Sequence, residues 1–159
     1  MHRPKTLREA SAPQPRGCTN LQLRRLTRQV TQHYDAQMAA AGLKTTQYSL
    51  LSTVLHMGPA RPADLAAALK MDPSTLTRNL RPLINAGWVD LSAGADARTR
   101  AVSITADGRA KRAEAQRHWK AAQQSLNQRL GVSRVAALHE LIQQSLALLA
   151  SDEAPEHDD

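Results

Sequence analysis

The chain has 159 residues, with 21 lysines and arginines against 14 acids, a net charge of +7 and a pI of about 10.3. That length supports one domain with a real core but not two ordinary ones, and the basic surplus favours a polyanion, either nucleic acid or an anionic membrane surface. A single cysteine excludes an internal disulfide, and no run approaches the roughly 18 to 20 apolar residues that span a bilayer.

The N-terminus Met1-His2-Arg3-Pro4-Lys5 has no apolar stretch behind it to act as a secretory signal, so a cytoplasmic protein is expected. Charge is unevenly spread. Residues 1–30 hold seven cations and one acid, Glu9, whereas the last eight hold Asp152, Glu153, Glu156, Asp158 and Asp159 and no cation. The expected organisation is a flexible tail over 1–17, a single domain over 18–150 and an acidic disordered tail over 151–159.

In chain order, Leu23, Leu26, Val30, Tyr34 and Met38 recur at helical spacing and predict a helix from about Thr19 to Ala41, stopped by Gly42. Thr45 or Thr46 can cap a second helix carrying Tyr48, Leu51, Val54 and Leu55, ended by Gly58-Pro59. Pro62 suits the first turn of a short helix through Leu69, with Asp64 near its positive end. Asp72 as N-cap and Pro73 after it begin a further helix that Gly87 ends. Trp88 to Leu91 and Ala101 to Ile104 alternate as strands around a turn at Gly94. Thr105 caps a long helix to about Leu130, and Gly131 separates it from a last helix with Val135, Leu138, Leu141 or Ile142, Ser145 and Leu149 on one face. The fold class is therefore mainly α, with about six helices and a small β-hairpin.

The helix after Asp72 carries the functional argument. Leu76, Leu80, Leu83 and Ile84 make an apolar face, while Ser74, Thr75, Thr77, Arg78 and Arg81 put hydroxyls and guanidiniums on the other. One face for a core and one for phosphates and base edges is what a helix-turn-helix reader needs. The hairpin tip adds Arg98 and Arg100. Double-stranded DNA is the expected partner. The terminal helices have apolar faces longer than a small reading unit can cover. Pairing them with a second copy gives a homodimer and a near-palindromic site. The reading unit then spans about 46–105 and the dimerisation helices about 19–41 and 106–150.

Leu76-Thr77-Arg78-Asn79-Leu80, the Ala86-Gly87-Trp88-Val89 turn, Asp96-x-Arg98 before Ile104-Thr105, and Thr46-Gln47-Tyr48-Ser49-Leu50-Leu51 together resemble the MarR (multiple antibiotic resistance regulator) family over about Thr19 to Ala150. The resemblance implies a winged helix-turn-helix homodimer, usually a repressor that releases DNA on sensing a small molecule or an oxidant. It implies that Ser74, Thr75, Thr77, Arg78 and Arg81 face the major groove. Arg98 becomes the minor-groove wing residue, with Asp96 orienting its loop. A guanidinium at Arg78 can donate two bonds to a guanine edge. For Ser74 a simple capping role competes, and for Thr77 a bond back to its own helix. Pro82 predicts a bend in the recognition helix. Arg61, a poor cap, is a candidate phosphate contact.

Two sensing routes are open. Cys18 lies near the reactive cysteine of hydroperoxide-sensing members, but matching through Tyr34 puts that position at Asn20, and Arg24 and Thr45 stand where tyrosines are expected. A two-residue shift turns a side chain about 200° around a helix, which favours an inert thiol. The other route is a ligand, an aromatic carboxylate or phenol, held by Arg24, His33, Tyr34, Tyr48 and Trp119. The six histidines show no metal-binding spacing, and there is no glycine-rich phosphate loop or nucleophile elbow. No enzyme, metal or cofactor is expected. A winged helix used as a protein-interaction module is the competing class, but it would need an apolar patch where the arginines stand.

Overall fold

The computed structural model describes residues 15–93 and 100–151. Helix α1 (Thr19–Met38) runs into a 3-10 turn, Ala39–Ala41, and reverses at Gly42, whose φ of 66° lies in the left-handed region. There follow α2 (Thr45–Met57), α3 (Pro62–Ala68) and α4 (Pro73–Asn85), then strands β1 (Val89–Ala93) and β2 (Arg100–Ile104), then α5 (Ala106–Leu130) and α6 (Val132–Ser151). Each expected helix is present. The strands are antiparallel, with Val89 opposite Ile104, Leu91 opposite Val102 and Ala93 opposite Arg100. Ala60, between α2 and α3, exchanges two backbone bonds with Val102 (3.1 and 2.8 Å) and so fastens the helices to the hairpin.

Helices α2, α3 and α4 and the hairpin enclose one core, in which Leu51, Val54, Leu65, Leu83 and Val102 have no exposed surface. The apolar face expected of α4 is the buried one: Leu76, Leu80 and Leu83 point inward and Ile84 packs partly against them. The helix runs through Pro82 without interruption. The turn between α3 and α4 places Lys70 at φ 51°, and the Met71 N–H returns to the Ala66 carbonyl at 2.9 Å, which satisfies the end of α3.

Helix starts follow local chemistry where a capping side chain is close in sequence. Asp72 accepts from the Thr75 N–H at 2.8 Å, and Thr105 accepts from the Gly108 N–H at 3.0 Å. Helix α2 differs from expectation. Lys44 is its N-cap, and Thr45, expected to cap, is instead its first residue. Both the N–H and the hydroxyl of Thr45 donate to Asp35 of α1 at 2.7 Å, and Gln47 accepts from the Lys44 N–H at 2.8 Å. A carboxylate from a neighbouring helix therefore closes this terminus.

Helix α5 forms the spine. Both α1 and α2 pack along it, whereas α6 touches the rest of the chain chiefly through α5. From Leu141 to Ala150 every residue of α6 is exposed.

Candidate nucleic-acid interface and effector cleft

On α4, Ser74, Thr77, Arg78 and Arg81 are exposed and Thr75 is half-buried, so all five expected readers lie on the side of the helix away from the core. Their hydrogen bonds form a connected set. The Asp72 carboxylate accepts from the Ser74 hydroxyl at 2.5 Å, the Thr75 hydroxyl at 2.6 Å and the Thr75 N–H. A guanidinium N–H of Arg78 in turn donates to Thr75 Oγ1 at 3.3 Å. The Ser74 hydroxyl, then Thr75, hold the Asp72 carboxyl well below the usual carboxylate range. Thr77 donates to the Pro73 carbonyl at 2.9 Å, the bond within its own helix.

The expected phosphate contact at Arg61 meets a different arrangement, because its guanidinium makes a two-point pair with Asp64 at 2.9 and 3.1 Å. Both partners are exposed, so the pair orients the start of α3 more than it stabilises it. Arg100 opens β2 opposite Ala93, and so stands on the strand rather than on the hairpin tip. Asp96 and Arg98 lie outside the described residues.

Of the five effector-contact candidates, four come together. Tyr48 stacks on Trp119 (ring centroids 6.1 Å apart, planes at 27°), Tyr34 lies 6.4 Å from Trp119, and His33 meets Tyr34 edge-on at 6.0 Å. The Tyr34 hydroxyl donates to Gln123 of α5, and a His33 ring nitrogen lies 3.0 Å from the Ala122 carbonyl. Burial raises the Tyr34 pKa, which keeps the phenol neutral. The set is packed shut against its own helices. Arg112 closes the other side, with its guanidinium 5.6 Å from the Tyr48 ring and bonded to Ser52 and Gln116.

Arg24 is not part of this group, which corrects the expectation that it shares a pocket with the aromatics. It is ten residues before Tyr34, about 15 Å along the helix axis, and is exposed on α1. Space for a ligand lies next to Tyr34 instead. A cavity of about 250 Å³ is bounded by Leu26, Val30 and Tyr34 of α1, Gln123 and Leu126 of α5, and Leu138 and His139 of α6. Gln123 and His139 had no signal in the sequence, because their relevance arises only from helix packing. Cys18 is exposed at the N-cap of α1 and makes no capping bond.

A three-helix reading unit with a hairpin beside it, and an outward polar face on its last helix, defines a winged helix-turn-helix protein. A model described as MarR family matches residues 41–99. The M. tuberculosis transcriptional regulator MosR, in a crystal structure with DNA, is 32% identical, and the alignment covers 83% of this chain and 98% of MosR with a TM-score of 0.68. A mutant MarR from E. coli complexed with operator DNA has the same fold, with a TM-score of 0.72 at 22% identity over 80% of this chain and 92% of that one. The HTH-type regulator YwoH of Bacillus subtilis (strain 168) is 27% identical over 90 residues, which are 57% of this chain and 66% of YwoH. The chain belongs to the MarR family of winged helix-turn-helix transcriptional regulators, a family of DNA-binding proteins and not of enzymes.

Proposed function

We propose that this protein is a homodimeric repressor that reads a near-palindromic operator in double-stranded DNA and releases it on binding a small aromatic or phenolic molecule. Its reading unit is taken as about 46–105 and its dimerisation helices as about 19–41 and 106–150. Arg78 reads a base edge, Ser74, Thr75, Thr77 and Arg81 fix the helix in the major groove, and Arg100 and Arg98 serve the hairpin. Asp96 orients that loop.

The observation that carries the dimer is where apolar surface stays bare. Leu23 on α1 and Val132, Leu141, Leu146, Leu148 and Leu149 on α6 are all more than half exposed. A patch of that kind on two helices outside the reading unit fits a self-complementary contact. Such a contact sets two α4 helices about one turn of DNA apart. The solved MosR–DNA complex supports the choice of partner. The cavity beside Tyr34 supports the effector. Its volume of about 250 Å³ lies just below the usual range of ligand sites and suits nothing larger than a single ring, with Gln123 and His139 offering hydrogen bonds.

The test is selection of bound genomic fragments by purified protein at two salt concentrations, with sedimentation to give the assembly. A shared near-palindromic site, bound by dimers with affinity falling steeply as salt rises, is the expected result. A monomer in solution, or no enriched sequence at either salt, would overturn the reading.

A further inference from the structure

The basic charge of the chain is not confined to the reading head. Residues 15–34 contain no acid, and within them Arg24, Arg25 and Arg28 are exposed on α1. Among the described residues, none of the three takes part in an ion pair. At 100° per residue they share one side of the helix with Leu21 and Gln29, opposite the side formed by Leu26, Val30 and Tyr34 that packs toward α5 and α6.

Their position along the fold separates them from the operator face. Helix α5 leaves the hairpin at Ala106, and His33 of α1 meets it at Ala122, about 24 Å further on. The arginines lie beyond that level, toward the end of α5 away from the hairpin. A duplex lying on α4 and the hairpin leaves their charge unanswered.

The chain carries its own polyanion of suitable charge and reach. Residues 152–159 hold five acids and no cation. Ile142 of α6 bounds the same cavity as Leu26, Thr27 and Thr31 of α1, so the two helices face each other across it. From Ile142 the helix continues nine residues to Ser151, about 14 Å. The eight residues that follow span up to about 27 Å when extended, about twice that rise, so the segment has the length to fold back toward the arginine side of α1.

We propose that this side of α1 is the docking surface for the acidic C-terminal segment, with Arg24, Arg25 and Arg28 pairing with its carboxylates. The segment then screens a like-charged helix face that the dimer contact through Leu23 and α6 does not cover. The contact is ionic and exposed, so it is weak at each pair and depends on several pairs together.

The lone cysteine provides the test. A nitroxide attached to Cys18 of the full chain sits just before the arginine side of α1, and NMR of the 152–159 amides reports proximity as loss of signal. At low salt those signals should be bleached. They should recover at about 1 M salt, where the screening length is about 3 Å, and in an Arg24→Glu, Arg28→Glu double variant. Unbleached tail signals at low salt would overturn the proposal, as would bleaching that survives both salt and charge reversal. Unbleached signals together with weaker DNA binding by the double variant would assign the surface to nucleic acid. None of these readings requires the operator assignment to hold.

Discussion

Replacing Gly108 with alanine separates two opposing effects of known size. Within a helix, alanine is favoured over glycine by about 1 kcal/mol, so helix propensity alone predicts stabilisation. Gly108 is buried in the first turn of α5, however, and a Cβ there would lie 2.0 Å from the Trp88 carbonyl oxygen and 2.9 Å from Ile104 Cγ1. Ordinary contact begins at 3.4 Å, so helix and hairpin would have to part by well over an ångström. The Trp88 carbonyl cannot simply turn aside, because it also accepts the Thr105 N–H at 3.1 Å. Overpacking typically costs about 1–3 kcal/mol and more where backbone must move, so a net loss of about 2 kcal/mol is expected. With a urea dependence of about 1–3 kcal/mol per molar, the unfolding midpoint should fall by about 1 M. Protein concentration is held fixed, because the stability of the proposed dimer would vary with it. A midpoint that stayed put or rose would refute the close approach of α5 to the hairpin.

Arg78→Ala should relax sequence preference at one operator position by about 1–3 kcal/mol, whereas Arg98→Ala should weaken binding with a smaller change in preference; competition binding against single-base operator variants measures both. Asp72 is held ionised by Ser74 and Thr75, so the stability it adds is present above the unfolded carboxyl pKa of about 3.9 and is lost as pH falls below it. Asp72→Ala should therefore be less stable than the parent at pH 7, with the gap narrowing in acid, as read by urea melts at several pH values. Asp35→Ala removes both bonds to Thr45 and should cost about 1 kcal/mol by the same melts. Cys18→Ser should leave any DNA-release response to hydroperoxide unchanged in a binding assay, and loss of that response would make the exposed thiol a sensor.

What the sequence made legible was short-range. Asp72, Thr105, Pro62 and Gly42 act within a turn of the ends they define, and the inward phase of Leu76, Leu80 and Leu83 follows from helical spacing alone. What it hid depends on which helices meet. Asp35 closes a helix ten residues away, and nothing near Thr45 announces it. Arg24 and Tyr34 both look available on one helix, yet axial distance parts them. His33, Tyr34, Tyr48 and Trp119 were legible as a group of residue types. That they fill one another's space, and leave the open cavity on the far side of Tyr34, is a property of packing.

That packing bears on how an effector would act. Tyr34 bounds the cavity on one side and faces Trp119 on the other, and Trp119 stacks on Tyr48 in the first helix of the reading unit. A ring entering the cavity would press on a side chain only two contacts from α2. Close-packed contacts of this kind transmit strain, so a displaced Tyr34 would press on Trp119 and, through it, on Tyr48. Binding energy alone does not move such an equilibrium, and only a difference in affinity between the two arrangements does. Near-complete release of DNA from a near-complete hold requires a difference of about 5.5 kcal/mol. A cavity of this size supplies that only if the ligand's ring fits one arrangement of Tyr34 and clashes with the other. Effector selectivity should therefore follow ring size at Tyr34 more closely than hydrogen bonding at His139.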